Sequence, residues 1–207
     1  MIKSPKKKLK KLDMSQCDVG KTGFYELIPA MIATETVIFQ NQSLSPVELK
    51  EFGTRLRQAE KTTIKSLDIS SCNLNDESMP QISSFITQLE NVDLHNSDFS
   101  VESMKILVNH VQESGVGSLT HLNLRMCRLT DDCLDVLSEI IPKISSLTLS
   151  SNNFSGINAV KTLVSKLESS SKISLKHLDL KYSRLSQEMK KILGETCKKL
   201  NIELKVW

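Results

Sequence analysis

Apolar residues recur along this chain in a fixed order, apolar-x-x-apolar-x-apolar-x-x-(Cys/Asn/Ser/Gln)-x-apolar, written seven times. The first copies are Leu9-Leu12-Met14-Cys17-Val19, Thr34-Val37-Phe39-Gln42-Leu44 (with Thr34 in the first apolar place) and Ile64-Leu67-Ile69-Cys72-Leu74. Leu89-Val92-Leu94-Ser97-Phe99, Leu119-Leu122-Leu124-Cys127-Leu129, Ile144-Leu147-Leu149-Asn152-Phe154 and Leu175-Leu178-Leu180-Ser183-Leu185 follow. Taking the second apolar residue as marker, successive copies lie 25, 30, 25, 30, 25 and 31 residues apart, so the unit is a pair of about 55 residues. Odd copies carry Cys17, Cys72, Cys127 and then Ser183 at the polar slot; even copies carry Gln42, Ser97 and Asn152. An eighth, truncated copy is expected at Ile202-Leu204-Val206, with Ile202 in the marker's place 55 residues after Leu147.

Each part of the pattern predicts an element. In apolar-x-apolar the flanking side chains share one face and the middle one takes the other, which is the period of a strand. The polar slot falls where the chain leaves that strand, within reach of turn backbone. Helical spacing follows in Met79-Ile82-Phe85-Ile86, Met104-Leu107-Val108-Val111 and Leu134-Leu137-Ile140-Ile141. Asp76, Ser100, Thr130 and Ser186 are expected caps, and Pro46 opens a helix at a position that needs no N–H. No strand–helix pair this small buries its own apolar stripe; stacked pairs share one core. The expected fold class is therefore α/β, a right-handed curved solenoid with a parallel sheet on the concave face and helices on the convex face. It forms a single domain over 1–207, with a basic leader at 1–8, seven repeats over about 9–198 and a closing strand at 199–207.

Composition narrows the partners. Six lysines and no acid stand in residues 1–12, so the net charge of +3 becomes −3 for the rest of the chain. No basic face suited to nucleic acid is evident. No apolar run reaches the ~18 residues that span a bilayer, and the basic start lacks the apolar core of a secretory signal, so no membrane partner is expected. Cys17, Cys72 and Cys127 recur two strands apart, about 10 Å, beyond disulfide reach; reduced thiols point to the cytoplasm. The Lys6–Lys11 run carries a nuclear-address reading beside the plainer one of a solvated leader.

The stretch Leu119-Thr-His-Leu122-Asn-Leu124-Arg-Met-Cys127-Arg-Leu129-Thr-Asp-Asp-Cys133-Leu134, with its Asn-type neighbour Leu147-Thr-Leu149-Ser-Ser-Asn152-Asn-Phe154, resembles the ribonuclease-inhibitor-like family of leucine-rich repeats. That resemblance covers residues 9–206 and implies a leucine-rich-repeat horseshoe segment. It extends to the C-terminal arms of NACHT-type (NOD-like) receptors, which implies a sensing or autoinhibitory role in innate immunity. The 25-residue short copies and Ser183 in place of Cys depart from the family pattern.

Candidate chemistry is sparse. Gly20-Lys21-Thr22 follows a strand and precedes a helix, as a phosphate-binding loop would, but Ser15 stands where that loop needs Gly. The segment also aligns with the ordinary turns after Cys72 and Cys127. His95, His110, His121 and His177 show no ligand spacing, so no metal and no cofactor are expected. The chain reads as non-enzymatic.

Recognition is left to the strand face. Its middle row, Asp13, Ile38, Asp68, Asp93, Asn123, Thr148, Asp179 and Glu203, reads as scaffold because Asp recurs there. His95, His121, Arg125, Arg128, His177, Lys181, Tyr182 and Arg184 depart from the repeat average and are the candidate partner-binding residues. The reading is a module that binds a protein partner or a microbial or endogenous ligand on its concave face. Alternatives are a stoichiometric enzyme inhibitor, for which −3 is a weak field, and a GTPase activator or ubiquitin-ligase substrate adaptor. An uncapped edge strand at residues 9–19 adds an expectation of self-association.

Overall fold

The computed structural model describes residues 9–207; Lys6, Lys7 and Lys8, and with them the leader and its address reading, lie outside the described residues. The elements alternate as β1 (Lys11–Asp13), α1 (Gly20–Ile32), β2 (Thr36–Ile38), α2 (Pro46–Gln58), β3 (Ser66–Asp68), α3 (Met79–Ile86), β4 (Asn91–Asp93) and α4 (Val101–Ser114). They continue as β5 (His121–Asn123), α5 (Asp131–Leu137), β6 (Ser146–Thr148), α6 (Ile157–Ser169), β7 (His177–Asp179), α7 (Gln187–Lys199) and β8 (Glu203–Lys205). One parallel sheet holds all eight strands in chain order. Each strand is about 4.8 Å from the next, whereas a helix with its side chains is about 10 Å across. Helices therefore crowd the outside of the stack and the sheet takes the inside of the curve.

The marker residues pair in register, Leu12 with Val37, Val37 with Leu67, and on through Val92, Leu122, Leu147 and Leu178. The last pairing corrects the sequence reading. Leu178 meets Leu204, not Ile202, which sets Glu203 beside His177 and Lys205 beside Asp179. A slip of two residues leaves every apolar side chain on the same face, so the pattern alone does not distinguish the two registers.

Strand leucines and helix stripes form one continuous core, from Phe24 and Ile28 through Phe85, Leu107 and Leu134 to Leu163 and Leu193. Edge-to-face aromatic pairs join neighbouring repeats, Phe24 with Phe39 and Phe52 with Phe85, each at 5.2 Å between ring centres. Gly53 lets α2 approach α3, since a Cβ there would lie 2.8 Å from the Phe85 ring.

Helix starts follow the sequence in part. Ser100 accepts from the Glu102 N–H and Ser186 from the Met189 N–H, while Ser45 and Glu48 form a capping box around Pro46. Thr130 holds the cap position without a side-chain bond to the helix backbone; its Oγ1 lies 3.6 Å from the Cys133 sulfur instead. Asp76 does not cap α3, which Ser78 precedes; its carboxylate instead takes the Ser100 N–H and the Ser103 hydroxyl of the next repeat. The expected helix from Leu134 through Ile141 ends at Leu137, and a 3-10 turn over Ile141–Lys143 carries the remaining stripe, because Pro142 has no N–H to continue the ladder.

The polar slot closes the turn after each strand. The Cys72 thiol donates to the Phe39 carbonyl and the Cys127 thiol to that of Leu94, at 2.8 and 3.3 Å. Ser183 donates to Leu149, and Gln42 to Met14. Asn152 does most: its Oδ1 accepts the N–H groups of Cys127 and Leu129, and its Nδ2 donates to the carbonyls of Leu124 and Leu149. Cys17 shares the slot but is exposed at the first repeat, unlike its buried equivalents. All five cysteines are free. Gly20, Lys21 and Thr22 form the opening of α1.

Candidate functional site

The middle row of the strand face is committed to the backbone. Asp13, Asp68, Asp93, Asn123 and Asp179 each accept the N–H of the residue two places on, Ser15, Ser70, His95, Arg125 and Lys181, at 2.9–3.1 Å. This bond turns the chain out of the strand in five repeats. Second oxygens tie neighbouring strands, Asp68 accepting from Gln40 Nε2 at 2.5 Å and Asp93 from Asn123 Nδ2 at 2.8 Å. At the exposed first strand the Ser15 hydroxyl, aided by Lys11, holds the Asp13 carboxyl down to about 2. The acidic row is thus turn scaffold in these repeats.

Along the curve these strands form a concave groove of about 310 Å³, lined by residues of β2 through β6 that include Ile38, Asp68, Asp93, His121, Asn123 and Thr148. Its lining is more apolar than polar, with the carboxylates of Asp68 and Asp93 set among it. Among the described residues no cluster of three or more His, Cys, Asp or Glu is arranged to hold a metal ion.

The eight candidates fall into two groups. His121 and His177 stand at the start of their strands, exposed; His121 Nδ1 lies 2.8 Å from Thr120 Oγ1 and His177 Nδ1 lies 2.7 Å from Glu203 Oε2. The His177 bond and the nearby Lys205 ammonium hold the Glu203 carboxyl below its ordinary value. At the other end of the strands stand His95, Arg125, Arg128, Lys181, Tyr182 and Arg184. His95 leans on Asp93 at 2.9 Å and Arg128 on Asp98 at 3.0 Å. Arg125, Lys181 and Arg184 have no carboxylate partner among the described residues.

The structure adds Met126, which the sequence reading passed over. It is 44% exposed, Tyr182 is 76% exposed, and both occupy the left-handed backbone slot after the strand, at φ of 55° and 57°. That slot holds Gln16, Asn41, Ser71, Asn96 and Ser151 in the other repeats. Arg128 and Arg184 occupy a second left-handed position two residues on, where the third repeat has Asn73. The signal lay in the alignment itself, since Met126 and Tyr182 are the two bulky departures in a row otherwise short or polar.

Comparison with known proteins agrees with this architecture. The family described as Leucine Rich repeat matches residues 6–27, 60–79 and 118–138, which are the first three odd, Cys-bearing copies. An internalin from Listeria monocytogenes shares the fold with a TM-score of 0.56 at 14% identity, covering 94% of this chain and 46% of its own. The chain thus spans about half the length of that internalin. The tropomodulin C-terminal domain from Caenorhabditis elegans aligns with a TM-score of 0.52 at 11% identity, over 71% of this chain and 90% of its own. No curated protein matches the chain in sequence. The fold is a leucine-rich-repeat solenoid of the α/β class, an architecture that typically serves protein interaction.

Proposed function

We propose that this chain is a non-enzymatic recognition module that binds a protein partner across its concave face and the adjoining strand ends. The observation that carries the reading is the division of labour among the exposed residues. The Asp row serves the backbone, whereas the side chains of Arg125, Lys181, Tyr182 and Arg184 serve neither core nor turn; Arg125, Tyr182 and Arg184 are exposed and Lys181 is half-buried. An extended concave sheet offers a partner many such side chains at once without chemistry of its own. The remaining candidates, His95, His121, Arg128 and His177, belong to the same face, already held by Asp93, Thr120, Asp98 and Glu203.

The alternation of Cys-type and Asn-type copies supports the ribonuclease-inhibitor-like subtype, and with it the reading of a sensing or autoinhibitory arm in a larger immune receptor. Five free cysteines support a reducing compartment. No helix among the described residues is long and apolar enough to cross a membrane.

The test is capture from cytosolic extract with cross-linking and mass spectrometry, comparing wild type with a His121→Ala/Arg125→Ala/Lys181→Ala variant of unchanged circular dichroism. The reading requires a partner that cross-links to the strand face and is lost by the variant. Cross-links confined to the convex helices, or the same partners on both proteins, would overturn it.

A further inference from the structure

We infer that the strand-end rim of repeats five to seven is a docking site for an acidic polypeptide segment carrying an apolar side chain; this deepens the recognition reading and rests on it. Backbone pairing continues past the strands here: the Met126 N–H donates to the Ser150 carbonyl and the Ser151 N–H to that of Lys181. Arg125, Ser150 and Lys181 therefore lie side by side, as do Met126, Ser151 and Tyr182. Two residues further on, Arg128 and Arg184 hold the same left-handed position of their repeats, while Asn153 of repeat six is bridged to Thr130. Repeats five and seven each raise the same trio of cation, large apolar side chain and cation. Repeat six, with Ser150, Ser151, Asn152 and Asn153, raises nothing large between them. Two strand spacings separate the trios by about 10 Å, enough to seat an extended chain with one side chain directed inward.

Charge selects the occupant. Of the four cations only Arg128 has a carboxylate partner, Asp98, and that pair is open to solvent on both sides. Around repeat seven the local bias reinforces this, since residues 157–207 hold eleven Lys/Arg against five Asp/Glu. The apolar pair selects a protein segment over a polynucleotide. Met126 and Tyr182 stand in left-handed slots that favour short polar residues. Tyr182 is largely exposed there and Met126 nearly half exposed, and neither belongs to the core. A long polyanion running on along the sheet would also meet Asp93 and Asp98 of repeat four, next to repeat five.

The experiment uses fluorescein-labelled peptides of glutamate with one central Leu, Phe or Trp, their glutamine counterparts, plain polyglutamate and an oligothymidine, titrated by fluorescence polarisation against the full chain. The expected result is saturable binding of an acidic peptide with an apolar centre, at least tenfold tighter than its glutamine counterpart and weakened by salt. Met126→Ser/Tyr182→Ser should lose about tenfold, and the surface variant Lys181→Glu/Arg184→Glu should abolish binding. Lys161→Ala, exposed on α6 away from the sheet, should leave it unchanged. No saturable peptide binding, binding indifferent to the rim variants, or tighter binding of oligothymidine or plain polyglutamate would each overturn the inference. A cellular partner lost by the His121→Ala/Arg125→Ala/Lys181→Ala variant but kept by Met126→Ser/Tyr182→Ser would overturn the rim alone and leave concave-face recognition standing.

Discussion

Asn152 offers the sharpest test of how the repeat is held together. Its side chain is 2% exposed and makes four hydrogen bonds to backbone, two accepted from Cys127 and Leu129 at 3.0 Å and two donated to Leu124 and Leu149 at 2.9 and 2.8 Å. Truncation to alanine leaves the Leu149 carbonyl with the Ser183 hydroxyl at 3.1 Å, but strands two N–H groups and the Leu124 carbonyl. Each buried unsatisfied group costs roughly 1–3 kcal/mol, so Asn152→Ala should lose about 4 kcal/mol. That is a large share of the roughly 5–15 kcal/mol a domain has to lose. Ser97 holds the equivalent slot two repeats earlier with one bond, to the Leu94 carbonyl at 2.6 Å. That carbonyl also receives the Cys127 thiol, so Ser97→Ala should cost only about 1 kcal/mol. Urea unfolding followed by circular dichroism gives both numbers, with exposed Asn153→Ala as a neutral reference. Amide exchange should accelerate at Cys127 and Leu129 in the first variant, since nearest-neighbour interfaces carry a solenoid's stability. If Asn152→Ala falls within 1 kcal/mol of Ser97→Ala, the slot is not a backbone clasp and the argument fails.

Other expectations are independent of that one. Burial pushes the thiols of Cys72, Cys127 and Cys197 up to about 11, 12 and 11. A thiol reagent at pH 8 should therefore label exposed Cys17 at once and the four buried cysteines only after urea is added. Because those thiols ionise more readily in the unfolded chain, their contribution to stability is whole below about pH 9 and should fall as pH rises from there towards 11–12; a flat unfolding midpoint over that range would contradict it. Gly53→Ala drives a Cβ to 2.8 Å from the Phe85 ring and should cost about 1–3 kcal/mol. Gly194→Ala, mid-helix in α7 with open space around it, should instead add about 1 kcal/mol. Asp93→Asn keeps an acceptor for the His95 N–H but turns an Nδ2 towards Asn123 Nδ2 and should cost about 1 kcal/mol, whereas Asp93→Leu loses both bonds, should cost about 2 kcal/mol and should perturb the turn.

The architecture was legible because a period of two followed by a period near four, repeated at fixed intervals, has one stacked solution. Register was legible for Leu12 through Leu178, where every copy is anchored by its full motif. It failed at Leu204, where the truncated copy offers only alternation, and alternation tolerates a shift of two. Caps were less legible. Asp76 has the right residue type for a helix start, yet the next repeat supplies better donors in Ser100 and Ser103. That competition exists only once the repeats are stacked. The candidate site divided on the same ground. Charge and side-chain class singled out His121 and His177, but strand position sets them at the opposite strand end from Arg125, Lys181 and Tyr182, and only pairing reveals which departures face one another.

The left-handed slots show how scaffold and recognition separate in a repeat protein. A residue in that conformation costs roughly 1–2 kcal/mol unless it is glycine or a short polar side chain that bonds locally. Asn96 does bond there, donating to Ser71 Oγ at 3.0 Å. Met126 and Tyr182 make no hydrogen bond through their side chains and stand outside the core, so the backbone demand is met without visible return to the fold. Replacing each with asparagine should therefore stabilise the isolated chain, by up to about 1 kcal/mol per site, while weakening whatever the rim binds. A stabilised Met126→Asn/Tyr182→Asn variant that binds the acidic peptides as wild type does would mean that these side chains are tolerated accidents. Loss of binding together with a raised unfolding midpoint is the pairing that a recognition surface, maintained against the preference of its own backbone, requires.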